Sequence, residues 1–224
     1  MFSEKIISFI LQLKFPFPLT DGIEILYPFS DKAVLDSCKV FYEKYYADNN
    51  KRSLIIGINP GRFGAGVTGI PFTDPIRLKE NCGINHCWPL KQELSSVFIY
   101  EMIRAYGSVE KFYSNFYITA VSPLGFTMDG KNLNYYDIKE LQIALKDFIV
   151  ESLHEQLVFG VNKSFCFCLG EGDNFKYLTR LNSELKIFKE IVPLAHPRFI
   201  MQYRRKKVAD YVQGYLRSFD IASK

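Results

Sequence analysis

The chain has 224 residues, 48% of them hydrophobic and 16% aromatic, and its 28 Lys and Arg against 24 Asp and Glu give a formal charge of +4. This composition excludes a disordered chain and a coiled coil, and the length suits one domain over 1–224. No run approaches the ~18 consecutive apolar residues of a membrane span. Five cysteines without a CxxC pair predict neither disulfides nor a zinc ribbon. We therefore expect a cytoplasmic protein, with a monomer as the default.

Residues 1–50 are predicted to form an N-terminal helical extension. An amphipathic pattern indicates a helix over 3–13. A turn rich in Phe and Pro over 15–18 follows it, and a second helical pattern covers 31–47. Glu4, within the first residues, is not what the basic start of a signal peptide requires.

Strand and helix patterns alternate after residue 50. The predicted strands cover 53–58, 116–121, 164–169 and 187–193, and the predicted helices cover 94–105, 137–157, 172–182 and 202–219. Alternation at this spacing implies right-handed crossovers and a parallel sheet with helices on both faces. The predicted fold class is a three-layer α/β/α domain with a central four-stranded, mainly parallel sheet.

Active sites in such sheets form beyond the carboxyl ends of the strands. Asn59 follows the first strand, and its amide can hold a water through both donor and acceptor atoms, although Asn is also common in turns. His196 follows the fourth strand and precedes a basic segment that contains Arg198 and 204–207. An ordinary loop histidine before a solvated basic helix is the alternative. If the two side chains share a cleft, an anionic polymer is the natural partner.

Two other patterns allow a functional interpretation. Gly64 to Gly69 fits GxGxxG, the dinucleotide-binding fingerprint, but Pro71 stands where its helix should continue, so we expect only a tight loop. Cys166 and Cys168 share one face of a strand, which invites a metal site. Their spacings to Cys82 and Cys87 match no zinc or iron–sulfur pattern, so we expect buried core cysteines and no metal.

Three segments resemble the single-strand-selective monofunctional uracil-DNA glycosylases, a family of the uracil-DNA glycosylase superfamily. The sequence GINPGRFG over 57–64, followed by TGIPF over 68–72, resembles the first family motif. AHPR over 195–198 resembles the second motif, and VSPL over 121–124 resembles a central strand-end segment. The resemblance spans about 53–215 and leaves the first fifty residues outside.

The resemblance implies roles for particular residues. Asn59 would position the attacking water, His196 would stabilise charge on the departing base, and Phe72 would stack on a flipped base. Asp74 would help to activate the water, although a helix N-cap is an equal alternative. The implied substrate-binding residues are Gly57, Ile58, Pro60, Gly61, Phe63, Phe72 and Ser122. The implied DNA-binding residues are Pro197, Arg198, Arg204, Arg205, Lys206 and Lys207.

The expected reaction is hydrolysis of the N-glycosidic bond of a flipped base in DNA, without a cofactor or metal. No obvious lysine for a Schiff base lies near the motifs, which predicts a monofunctional enzyme. Ala120 stands where the family carries an Asn that reads the uracil edge. The base could therefore be uracil, xanthine or hypoxanthine. A non-catalytic nucleic-acid-binding relative is the alternative function, and Arg62 makes the first motif more basic than is usual in the family.

Overall fold

The structure, a computed structural model, describes residues 1–15 and 22–222, without the side chains of 221 and 222. Most of the predicted 15–18 turn lies outside these residues. The described strands are β1 (Ile23–Leu26), β2 (Arg52–Gly57), β3 (Phe116–Ala120), β4 (Gly125–Met128), β5 (Lys131–Leu133), β6 (Val161–Leu169) and β7 (Glu190–Leu194). β2, β3, β6 and β7 form one parallel sheet in the order β3-β2-β6-β7, which confirms the predicted fold class.

Helices surround this sheet. They are α1 (Phe2–Gln12), α2 (Lys32–Tyr46), α3 (Ala65–Thr68), α4 (Pro75–Glu80), α5 (Leu94–Tyr106), α6 (Val109–Asn115), α7 (Lys139–Ala144), α8 (Lys146–Leu157), α9 (Asp173–Leu185), α10 (Pro197–Tyr203) and α11 (Val208–Ala222). Short 3-10 helices cover Pro28–Ser30 and Arg205–Lys207. Within the described residues, no helix combines the length and the apolar character needed to cross a bilayer.

The ring contacts of β3 show that helices cover both faces of the parallel sheet. Successive side chains of a strand point to opposite faces. Tyr117 contacts Phe2 of α1, with ring centroids 5.5 Å apart. Its neighbour Phe116 contacts Phe219 of α11, with centroids 4.5 Å apart. The sheet therefore lies between α1 on one side and α11 on the other, as a three-layer fold requires.

A second sheet was not predicted from the sequence. β1, β4 and β5 form an antiparallel sheet in the order β1-β4-β5, in which Ile23 pairs with Met128. β4 and β5 are joined by Asp129 and Gly130, both with positive φ, as a tight hairpin turn requires. Because β1 lies within residues 1–50, this segment is not purely a helical extension: one of its elements is a strand of the smaller sheet.

Two predicted helices are each broken in two. The pattern over 137–157 forms α7 and α8, which meet at Leu145. The pattern over 202–219 is interrupted at Arg204, whose φ of −130° and ψ of 24° are not helical. Arg205–Lys207 then forms a 3-10 turn between α10 and α11, so the basic residues lie at a corner and not along a continuous helix.

A fully buried arginine joins the N-terminal helices to the sheet. Arg52 donates from Nη1 and Nη2 to the two carboxylate oxygens of Asp48, at 2.7 and 2.9 Å, and from Nε to the carbonyl of Tyr113 at 2.6 Å. The rings of Phe2 and Tyr46 lie on its guanidinium, each centroid 4.7 Å away. One side chain thus links α1, α2, β2 and the end of α6.

Arg52→Met is expected to lower the free energy of unfolding by about 3 kcal/mol, because it leaves Asp48 and buried carbonyls without their donor. Urea denaturation measures this change. The control is Lys32→Ala, which removes an ion pair with Asp36 that lies at the surface. The control should cost less than about 1 kcal/mol. Equal losses in the two variants would contradict the role assigned to Arg52.

Candidate active site

A cavity of about 420 Å³ opens at the carboxyl ends of the parallel strands. In the sheet, β6 separates β2 from β7, and Asn59 and His196, which follow these two strands, both line the cavity. Seven further predicted site residues also line it: Gly57, Ile58, Pro60, Gly61, Phe63, Phe72 and Arg198. The structure therefore brings together the two motifs that are far apart in the sequence.

Three hydrogen bonds with backbone groups fix the amide of Asn59. Its Nδ2 donates to the carbonyls of Leu133 at 3.2 Å and Pro60 at 3.3 Å, and its Oδ1 accepts the N–H of Tyr135 at 3.0 Å. These partners decide which end of the amide is the oxygen. A carbonyl oxygen has two lone pairs, so Oδ1 can still accept a hydrogen bond from a water in the cavity.

His196 is held in the neutral form by its surroundings. It is the N-cap of α10, and its Nδ1 accepts the N–H of Arg198 at 3.2 Å. Burial, with a smaller contribution from the charge of Arg198, lowers the pKa of His196 to about 4. Since Nδ1 is an acceptor, the remaining ring proton lies on Nε2. The side chain can therefore donate a hydrogen bond without carrying a charge.

Phe72 adopts an unusual backbone conformation beside Gly57. Its φ of 52° lies in the left-handed region, which costs a non-glycine residue about 1–2 kcal/mol. The turn is held by hydrogen bonds, including one from Thr68 Oγ1 to the carbonyl of Thr73 at 2.6 Å. A Cβ on Gly57 would lie 2.9 Å from the Phe72 ring, so glycine is needed there. The strain places an aromatic face in the cavity wall.

Asp74 lies behind the cavity and does not line it. Its Oδ1 accepts the N–H of Arg77 at 2.8 Å, so Asp74 is the N-cap of α4, as the alternative interpretation of the sequence predicted. Its Oδ2 accepts the N–H of Glu93 at 2.8 Å. Both carboxylate oxygens are thus used to hold backbone. Its proposed role in activating water is not supported by this position.

Ser122 also lies outside the cavity lining. Its hydroxyl is buried and donates to the carbonyl of Leu124 at 2.7 Å. Ala120 and Thr119 line the cavity instead, at the end of β3. The Thr119 hydroxyl donates to Gln156 Oε1 at 2.6 Å and is committed to α8. At the end of β3, therefore, neither Ala120 nor Thr119 offers the cavity a side-chain amide.

An exposed basic rim follows α10, the helix that carries Arg198 of the cavity lining, and it consists of the predicted DNA-binding residues Arg204, Arg205, Lys206 and Lys207. Pro197 is buried at the first position of α10, whereas Arg204, Arg205, Lys206 and Lys207 are exposed. Two aromatic residues of α10, Phe199 and Tyr203, are 39% and 61% exposed. Their ring centroids lie 5.7 Å apart, and the Arg204 guanidinium lies 5.3 Å from the Phe199 ring. An exposed aromatic ring thus lies beside a cation where α10 meets the basic rim.

Five cavity residues lie outside the predicted strands and the motifs that follow them. They are Glu93, Ser95, Lys131, Asn132 and Asn134. Three of them come from β5 and the segment after it. The one available signal was the Asp129-Gly130 dipeptide, which is typical of a hairpin turn. Lys131 is a lysine of the cavity lining that the search for a Schiff-base lysine did not consider.

The two other sequence patterns have structural roles. Gly64 to Gly69 surrounds α3, a single turn, and Gly69 adopts a φ of 73°, so the segment is the expected tight loop. Cys166 and Cys168 are completely buried in β6 and free, as expected for core cysteines.

Comparison with known proteins assigns the family. The model of the uracil-DNA glycosylase superfamily matches residues 43–220. The chain belongs to the uracil-DNA glycosylase superfamily. A comparison with curated protein sequences gave no match. The family supports a uracil-DNA glycosylase-type function.

Among solved structures, the glycosylase fold is similar to the crystal structure of wild-type SMUG2 from Pedobacter heparinus. The TM-score is 0.97 at 47% sequence identity, over 99% of this chain and 98% of that chain. The resemblance carried by the motifs spans only about 53–215, whereas the structural match covers 99% of this chain and so includes the first fifty residues. The strand and helices of this N-terminal segment are therefore part of the shared fold.

The His196 imidazole is expected to remain neutral, with its proton on Nε2, at pH 6 in the folded protein. Nitrogen-15 NMR of the ring measures the tautomer and its titration. Because the unfolded chain binds this proton near pH 6.5 and the folded chain near pH 4, the contribution of His196 to stability is lost as the pH falls between these values. A titration midpoint near 6.5 in the folded protein would contradict this assignment.

Proposed function

We propose that this protein is a monofunctional DNA glycosylase that hydrolyses the N-glycosidic bond of a flipped, deaminated base in DNA. The observation that carries the proposal is the placement of Asn59 and His196 in one cavity, next to a basic rim with exposed aromatic rings. A base inside a duplex cannot reach such a cavity, so the enzyme would extrude it at a cost of a few kcal/mol.

The neutral form of His196 suits the departure of the base. Cleavage of the N-glycosidic bond places negative charge on the base, and a fixed donor in a cavity shielded from water stabilises charge at the point where it develops. His196 Nε2–H would donate to a base oxygen, and the hydrogen bond of Nδ1 with the Arg198 N–H keeps the ring in place. No proton transfer from His196 is required for this stabilisation.

The preferred base is proposed to be uracil, xanthine or hypoxanthine. At Ala120 no amide is present to read the uracil edge, and the short side chain leaves room in the cavity beside Thr119. Asn132 and Asn134 supply amides from the hairpin side of the same cavity. These features support a tolerant pocket that accepts either ring size.

The monofunctional mechanism rests on the environment of Lys131. A lysine that forms a Schiff base is normally desolvated or lies beside another cation, which lowers its pKa and frees the amine. Lys131 is exposed at the rim of the cavity, which does not favour that chemistry. We therefore propose that the product is an intact strand with an abasic site.

We also propose that the protein is a monomer in the reducing cytoplasm, where all five cysteines stay free.

Wild-type protein is expected to excise at least one base from single- or double-stranded oligonucleotides that carry uracil, xanthine or hypoxanthine. Asn59→Ala and His196→Ala should each lower the single-turnover rate by about 100-fold or more, because they remove water positioning and charge stabilisation. Strand cleavage by alkali after the reaction measures excision. Asn115→Ala, which removes an amide from the residue before β3 at the opposite end of the sheet, is the control.

Three results would each contradict one part of the proposal: the activity, the catalytic residues or the monofunctional mechanism. Absence of excision on every substrate, with DNA binding intact, would favour the non-catalytic relative. Excision that survives both substitutions would remove Asn59 and His196 from the chemistry. A nicked strand without alkali, together with an adduct trapped by borohydride and lost in Lys131→Ala, would show a lyase.

The basic rim, which consists of Arg204, Arg205, Lys206 and Lys207, is expected to contact DNA phosphates. Lys206→Ala with Lys207→Ala should weaken binding on all sequences and reduce the slope of log K against log salt by about 1 for each lost contact. Fluorescence anisotropy from 50 to 200 mM salt measures the slope. The double variant Lys163→Ala, Lys189→Ala, which removes two exposed lysines near the starts of β6 and β7, is the control and should leave the slope unchanged.

A further inference from the structure

Glu93 is the one carboxylate among the described residues that line the cavity. The other charged side chains of the lining are Arg62, Lys131 and Arg198, which are all cations. A lone acidic residue is unexpected in a pocket for a nucleotide, because it repels phosphate. Its presence therefore requires a chemical reason.

The fold holds the Glu93 carboxyl in place from several sides. Its backbone N–H is bound by Asp74, and its Oε2 accepts the hydroxyl of Ser96 at 3.1 Å. A Cβ on Gly64 would overlap Oε2, and one on Gly61 would lie 3.5 Å from Oε1. The first motif thus passes directly over the carboxyl, with glycine at both points of closest approach. No described donor lies within hydrogen-bonding distance of Oε1.

Hydrolysis needs a proton acceptor that the two motifs do not supply. The water that attacks the sugar must lose a proton as its oxygen bonds to carbon. The amide of Asn59 orients a water but is not basic. On His196, Nδ1 is occupied by the Arg198 N–H and Nε2 carries the proton. The three cations of the lining cannot accept one either.

We propose that Glu93 accepts the proton of the attacking water, directly or through one further water, and so is a catalytic residue. The water oxygen bonds to C1′ of the sugar, and the C1′–N bond breaks with its electron pair on the base nitrogen. His196 stabilises the resulting charge on the base, and the proton moves to the Glu93 carboxylate. This inference rests on the proposed glycosylase function.

The surroundings of Glu93 suit a group that must exchange a proton near neutral pH. Burial raises the pKa of Glu93 to about 7. The hydrogen bond from Ser96 and the charge of Arg198 lower this pKa, whereas the charge of Asp74 raises it. A general base is most efficient when its pKa lies near the working pH.

The test compares Glu93→Gln with wild type in single-turnover excision at saturating protein, on the substrate that wild type cleaves best. Gln keeps the shape and the acceptor for Ser96 but cannot take up a proton. We expect the rate to fall about 100- to 10,000-fold. Affinity for an oligonucleotide with a non-cleavable base analogue should stay within a factor of three. Glu101→Gln, an exposed position on α5, is the matched control and should keep the wild-type rate.

The pH profile gives a readout that a structural role would not produce. The wild-type rate should rise about tenfold per unit below pH 7 and level off above it, whereas Glu93→Gln should lack this rise. His196 stays neutral above about pH 4 and adds no step in the range. Glu93→Asp, which keeps a base one methylene further back, should be slower than wild type but keep the rise.

Several outcomes would overturn the inference. A wild-type rate in Glu93→Gln, or a loss that vanishes at saturating protein, would make Glu93 a binding contact only. If the melting temperature shows that Glu93→Gln does not fold, a flat wild-type profile between pH 5.5 and 8 would overturn it. Failure of the proposed function is distinguishable, because wild type would then excise nothing.

Discussion

Two backbone groups, the carbonyl of Leu133 and the N–H of Tyr135, hold the side chain of Asn59, and the geometry of the cavity depends on this contact. Asn59 follows β2 of the parallel sheet, whereas its partners lie at the end of β5 and just after it, on the side of the smaller sheet. Gly125 allows the same approach, because a Cβ there would overlap the carbonyl of Pro60. The side-chain amide of an Asn in a turn without such partners could rotate, whereas these hydrogen bonds hold the Asn59 oxygen in one orientation.

Buried polar groups extend this constraint into the core. The Tyr135 hydroxyl donates to Asn174 Oδ1 at 2.9 Å, and Asn174 Nδ2 donates to the carbonyl of Leu169 at 3.0 Å. Asn174 Nδ2 also approaches the carbonyl of Gly57 at 3.4 Å. The network therefore connects the end of β2, the end of β6 and the residue that orients Asn59. Buried networks whose members are all satisfied specify a single arrangement, because any shift leaves a polar group without a partner.

The sequence predicted the parallel sheet well, since four buried apolar runs separated by helical patterns have few other solutions. The smaller sheet was missed because β5 has only three residues and exposes Lys131 and Asn132, so no apolar run marks it. The two motif residues were predictable from their positions after strands. Glu93 was not, because it comes from the start of α5, and only the folded loop over Gly64 brings it to the cavity.

Burial shifts the two titratable side chains of the proposed chemistry in opposite directions. Removal from water disfavours the charged form, which lowers the pKa of His196 and raises that of Glu93. Neutral His196 can donate a hydrogen bond to the departing base without adding a positive charge to the cavity. Glu93, with a raised pKa, is a stronger base once ionised. A single enclosed cavity can therefore provide both a neutral donor for the leaving base and an acceptor for the proton of water, without a metal ion or a second charged partner in the proposed reaction.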